Sequence, residues 1–63
     1  MDNLINSILR KYSKFYNNLT IKDLKEDGYL VEYLDNKNNL IWNLFNNTKE
    51  ITKDLEKNIK IKG

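Results

Sequence analysis

The sequence predicts an α+β fold in the order helix, short helix, β-hairpin, helix, with the helices packed on a two-stranded antiparallel sheet. Apolar residues recur at three- and four-residue steps near the N-terminus, which is typical of an amphipathic helix. Two runs rich in aromatic and β-branched residues flank a polar Asp-Asn-Lys-Asn-Asn segment, which indicates a hairpin. A charged segment with apolar residues at four-residue spacing follows, and it predicts a further helix.

The first predicted helix spans residues 2–17. Asp2 is a suitable N-cap residue. Three cations lie toward its C-terminal half, where the helix dipole favours positive charge. A basic amphipathic helix also suits a membrane surface, but a chain this short needs the apolar stripe for its own core. The stripe consists of Leu4, Ile5, Ile8, Leu9, Tyr12, Phe15, Tyr16 and Leu19.

A short second helix is predicted at residues 21–27. Thr20 would be its N-cap, and Asp23 would complete an imperfect capping box. Leu19 and Leu24 lie on either side of the cap, as in a hydrophobic staple. Gly28 follows where a helix end favours a left-handed residue.

The hairpin is predicted from strands at residues 29–35 and 39–45. Asp35 suits the first turn position because its side chain can accept hydrogen bonds from nearby backbone N–H groups. Asn38 is expected in the left-handed region, which completes a three-residue loop with a bulge. This turn pairs Leu34 with Leu40 and, at the far end, Tyr29 with Phe45.

Both faces of the predicted hairpin are apolar, although a hairpin with one solvated face should alternate apolar and polar residues. We expect the first face to be the core, with Glu32 as its one charge; it contains Leu30, Leu34, Leu40, Trp42 and Leu44. The second face is either covered by the last helix or free to contact a partner; it contains Tyr29, Val31, Tyr33, Ile41, Asn43 and Phe45.

The last helix is predicted at residues 48–60. Asn47 followed by Glu50 is a capping-box pattern. The apolar stripe is narrow, with Ile51, Leu55 and Ile59, which suits a helix that lies against one side of a small sheet.

The composition argues against an enzyme. The chain has 63 residues, which predicts one domain over 1–63, and it contains neither Cys nor His. A serine nucleophile therefore has no histidine to activate it, and the usual zinc ligands are missing. No Gly-rich phosphate loop is present, and Asp23, Glu26 and Asp27 suit a solvated helix face. We therefore predict no catalytic residues, no metal and no cofactor.

The same composition bears on location and source. No apolar run approaches the length of a membrane span, and the N-terminus lacks the apolar region of a signal peptide. These features favour a cytoplasmic protein. Frequent Asn, Lys, Ile and Tyr indicate an AT-rich gene, such as one from a low-GC bacterium, its phage or another mobile element.

Two functions are consistent with the sequence. The first is a small protein-binding module, such as an inhibitor that clamps a host protein or a module that pairs with a second copy of itself. Its contact residues would be Tyr29, Tyr33, Ile41, Asn43 and Phe45. The second is nucleic-acid binding, because both ends of the chain are basic although the net charge is only +2. Its contact residues would be Arg10, Lys11, Lys14, Lys57, Lys60 and Lys62.

Overall fold

The computed structural model describes residues 3–62, with side chains described from residue 4 to residue 59. Two helices accompany a three-stranded antiparallel sheet, so the α+β class is confirmed. The prediction of a two-stranded sheet is wrong, because an additional strand precedes the hairpin and pairs with it. In chain order the elements are α1 (Asn3–Tyr12), β1 (Asn17–Asp23), a 3-10 helix (Lys25–Asp27), β2 (Tyr29–Leu34), β3 (Leu40–Phe45) and α2 (Thr48–Lys62).

The hairpin of β2 and β3 has the predicted register, from Tyr29 opposite Phe45 to Leu34 opposite Leu40. Asn38 adopts the predicted left-handed conformation, with φ of 65°. The Asp35 carboxylate accepts hydrogen bonds from the backbone N–H groups of Lys37 and Asn39, each at 2.8 Å. Local hydrogen bonds and the left-handed Asn38 are therefore sufficient to favour this register.

The predicted short helix at residues 21–27 is wrong over most of its length. Residues 17–23 form β1, which pairs with β2 so that Ile21 lies opposite Val31 and Lys22 opposite Leu30. Asp23 does not complete a capping box; its carboxylate instead accepts a hydrogen bond of 2.8 Å from the backbone N–H of Lys25. Helical geometry is confined to the 3-10 turn at Lys25–Asp27.

Helix α1 ends at Tyr12, five residues before the predicted end at residue 17. Its last turn is closed by Ser13, whose backbone N–H and hydroxyl both donate to the carbonyl of Leu9. Asn18 then adopts φ of 57°, and a bulge interrupts the pairing between Asn17 and Thr20. The chain thereby turns from the helix into β1. The predicted N-cap at Asp2 lies outside the described residues.

Helix α2 begins at Thr48 as predicted, and the side-chain oxygen of Asn47 accepts a hydrogen bond of 3.0 Å from the backbone N–H of Glu50. It extends to Lys62, two residues beyond the predicted end. Both helices lie on the same side of the sheet, where the described core forms between the layers. The buried core side chains are Ile5, Ile8, Tyr12, Tyr16, Val31, Ile51 and Leu55.

Gly28 connects the 3-10 helix to β2 in a conformation that side chains do not tolerate. Its φ is 93° and its ψ is −141°, a region populated almost only by glycine. A Cβ atom at this position would lie 2.3 Å from the carbonyl oxygen of Phe45. Glycine is therefore required here for two reasons, the backbone conformation and the close approach of β3.

We predict that Gly28→Ala lowers the free energy of unfolding by about 2 kcal/mol or more, because strain at such a position and the clash with Phe45 add. Urea unfolding followed by circular dichroism measures the change. Asn38→Gly is the matched control, since Asn38 also has positive φ but is exposed; it should stay within about 0.5 kcal/mol of the parent. Equal effects of the two changes would contradict the conclusion that position 28 requires glycine.

Candidate protein-binding surface

The sheet has one face against the helices and one face without cover from the described part of the chain. We call the uncovered face the outer face. Its residues are identified by the alternation of side chains in each strand and by the register between strands. The Thr20 hydroxyl lies 3.5 Å from a Glu32 carboxylate oxygen, which places both on this face. The outer face consists of Thr20, Lys22, Leu30, Glu32, Leu34, Leu40, Trp42 and Leu44.

The expectation that the Leu/Trp face is the core is wrong. Leu40, Trp42 and Leu44 are 58%, 57% and 56% exposed. Their neighbours on β2, Leu30 and Leu34, are only half-buried. Large apolar side chains thus stand next to one another along the edge strand β3.

The residues predicted to bind a protein lie on the opposite, inner face. Tyr29, Tyr33 and Phe45 pack against the buried cluster, and Val31 at the centre of this face is 2% exposed. Ile41 is half-buried and Asn43 is exposed. The inner face is thus covered by the helices and is not free to contact a partner. The apolar surface that stays open is the outer face.

Two buried tyrosines, Tyr12 at the end of α1 and Tyr16 just before β1, form hydrogen bonds to α2 across the core. Tyr16 is buried, and its hydroxyl donates a hydrogen bond of 2.7 Å to the Leu55 carbonyl oxygen of α2. Its ring lies 4.6 Å from that of Tyr33, centroid to centroid, at an angle of 59°. Tyr12 is also buried and donates to a carboxylate oxygen of Glu56. Each ring fills the interlayer space while its polar end finds a partner.

These contacts raise the pKa values of three tyrosines above the usual value near 10. The hydrogen bond to Glu56, with burial and the carboxylate charge, raises the pKa of Tyr12 to about 12. Burial, followed by the proximity of Tyr33, raises the pKa of Tyr16 to about 12. Burial also raises the pKa of Tyr33. The neutral phenols are therefore the forms that the folded protein stabilises.

The predicted nucleic-acid contacts lie away from the outer face. Arg10 and Lys11 are exposed on α1, Lys14 is exposed in the turn that follows it, and Lys57 is exposed on α2. The Nζ atom of Lys14 stands 5.8 Å from the centre of the exposed Phe15 ring. Lys60 and Lys62 belong to α2, but their side chains lie outside the described part.

The strand that the sequence prediction missed carries a signal that identifies the open face. Leu19 and Ile21 contact the core, whereas Thr20 and Lys22 are exposed, so residues 19–22 alternate as a strand does. The helix-start signals at Thr20 and Asp23 obscured this pattern. Because Thr20 and Lys22 pair with Glu32 and Leu30, the alternation of β1 assigns the Leu/Trp face to the outside.

Over residues 3–62, the structure shows neither a helix long and apolar enough to cross a membrane nor a cluster of three or more acidic side chains arranged to hold a metal ion. Comparisons with protein-family models, with curated proteins and with solved structures found no match to this chain. The surface itself is therefore the basis for a functional assignment.

The two faces predict opposite responses to truncation of an aromatic residue. Tyr33→Ala should lower the free energy of unfolding by about 2–3 kcal/mol, because it empties part of the core. Trp42→Ala should change it by less than about 1 kcal/mol, because this side chain is more than half exposed. Denaturant unfolding of both variants, at low protein concentration, checks the contrast; comparable losses would contradict the assignment of the faces.

Alkaline pH should destabilise the protein through the tyrosines. The tyrosine pKa is 10 in the unfolded chain and about 12 in the folded protein for Tyr12 and Tyr16. The stabilisation from the neutral phenols is therefore complete below pH 10 and is lost as the pH rises from 10 to about 12. Urea unfolding at pH 9 to 12 measures this decline. Tyr12→Phe should cost about 1 kcal/mol at neutral pH and should make the alkaline decline shallower; an unchanged decline would exclude Tyr12 as a contributor.

Proposed function

We propose that this protein is a small, non-enzymatic protein-binding module that binds its partner through the outer face of the sheet. The observation that carries the proposal is the row of Leu40, Trp42 and Leu44, each more than half exposed on one edge strand. Single exposed apolar residues are ordinary, but contiguous apolar patches with a polar rim are typical of interaction sites.

The chemistry of the outer face suits a protein better than a nucleic acid. Trp is a favoured anchor residue at protein interfaces, and here Leu residues flank Trp42 on its own strand and on β2. The polar members, Thr20, Lys22 and Glu32, lie on β1 and in the middle of β2, next to this apolar area. One cation and one carboxylate leave the face without net charge, and phosphate would gain little from it.

The exposed area is large enough for a measurable affinity. The three exposed β3 side chains present roughly 350 Å² that a partner can cover, given the area of large side chains. At about 25 cal/mol/Å², covering that area contributes about 9 kcal/mol before the entropic cost of association is subtracted. Association costs about 4–15 kcal/mol, so these three side chains alone support weak binding, and a micromolar complex also needs the partner's own buried surface and the rest of the outer face.

A narrower version of this function is inhibition of a host protein in the cytoplasm by a product of a phage or mobile element. Its support is the small size of the chain and its AT-rich residue usage. The alternative, nucleic-acid binding through the exposed cations of the helices, is supported by Arg10, Lys11 and Lys14 and by the neighbouring Phe15 ring. It predicts a steep loss of binding with added salt.

Site-specific photocrosslinking tests the protein-binding proposal. Trp42 is replaced with p-benzoylphenylalanine in the full chain, and Phe15 is replaced in a matched variant, since Phe15 is 53% exposed in the turn that follows α1. Irradiation in the source cells should give a protein adduct from position 42 and little from position 15. Adding Leu40→Lys to the position-42 chain should abolish the adduct.

Two results would overturn the proposal. The first is an adduct that disappears after nuclease treatment, which would assign the surface to nucleic acid. The second is equal crosslinking from positions 42 and 15, which would mean that the outer face has no preferred role.

A further inference from the structure

We propose that the occupant of the outer face is a second copy of this chain, which forms a face-to-face dimer with the helices outside and the two sheets in contact. This inference rests on the proposed function, because it names the partner for the same surface.

Over β2 and β3, the outer face has a pair of leucines at each end. Register pairs place Leu30 beside Leu44 at one end and Leu34 beside Leu40 at the other, with Glu32 beside Trp42 between them. Consider a two-fold axis that runs midway between the two sheets, parallel to the strands and above the gap between β2 and β3. This axis places β2 of one copy opposite β3 of the other. Leucine then meets leucine at each end, and the central carboxylate meets the indole of the other copy.

This arrangement also solves the problem of burying Glu32. A carboxylate removed from water is costly unless it accepts hydrogen bonds. Thr20 already stands 3.5 Å from it within the chain. In the two-fold arrangement the N–H group of Trp42 from the other copy faces the same carboxylate, and the indole needs such an acceptor when it is buried.

The charges are compatible with self-association. A two-fold interface uses the same patch twice, so the patch must be complementary to itself. Lys22 and Glu32 give the outer face one charge of each sign. The exposed cations at Arg10, Lys11 and Lys57 lie on the helices, so the net charge of +2 per chain opposes pairing only weakly.

The size of the face sets the strength of the dimer. The axis between β2 and β3 leaves β1 of each copy outside the overlap, so two strands per copy, about 10 by 20 Å, form the contact. With their side-chain relief, two such faces bury roughly 700–1,000 Å² in total, which is at or below the lower limit for specific interfaces. We therefore expect a weak dimer, with a dissociation constant on the order of 100 μM.

The test uses the full chain and its single tryptophan. Sedimentation velocity over about 1–300 μM should show monomer converting to dimer. Trp42 fluorescence, excited where tyrosine does not absorb, should shift to shorter wavelength over the same concentration range because the indole leaves water. Both signals should give the same dissociation constant.

Leu40→Lys and Leu4→Lys form a matched pair, because the two leucines are 58% and 59% exposed, one on the outer face and one on α1. Leu40→Lys should raise the dissociation constant about tenfold or more, and Leu4→Lys should leave it unchanged. Circular dichroism confirms that both variants are folded. Trp42→Glu, which opposes two carboxylates in the proposed arrangement, should also separate the copies.

Three outcomes would overturn the dimer. One is a monomer at every concentration with unshifted Trp42 emission; a position-42 adduct with another protein would then leave the protein-binding function intact. Another is a dimer whose Trp42 emission does not change, which would indicate pairing along the edge of β3. The third is equal weakening by Leu40→Lys and Leu4→Lys.

Discussion

A β-strand sends alternate side chains to opposite faces, so a strand made largely of apolar residues needs cover on both sides. Strands β2 and β3 meet this description, and the described chain supplies a single helical layer. Ile51 and Leu55 of α2 are fully buried, and Val31 on the sheet lies in the same cluster. Once the helices occupy one face, the leucines and Trp42 on the other have no cover from within the described residues.

Local chemistry made the hairpin and α2 predictable. Asp35, Asn38 and Asn47 act through their own backbone surroundings, so their roles follow from residue type and spacing. The hairpin register follows from its turn for the same reason. Such features depend on residues a few positions apart, and no knowledge of the rest of the fold is needed.

The choice of inner face was not predictable from the hairpin alone. By hydropathy, the leucines and Trp42 are the better core residues. The structure instead selects the face where Tyr33 contacts Tyr16 and where Val31 is buried beneath the helices. That choice also depends on β1, which contributes Leu19 and Ile21 to the inner side. Because residues 20–27 contain helix-start signals, the strand was missed, and with it the polar pair Thr20 and Lys22 on the outer side.

The two edges of the sheet differ in a way that limits how copies can add to one another. The edge formed by β1 has a bulge and charged residues at Lys22 and Asp23, features that discourage strand pairing. The edge formed by β3 has neither within Leu40–Phe45. In each molecule, therefore, only one of these two edges, that of β3, is suited to pairing with a further strand. If two copies paired through β3, the edge of β1 would discourage addition of a third copy, so this difference between the edges opposes fibre growth.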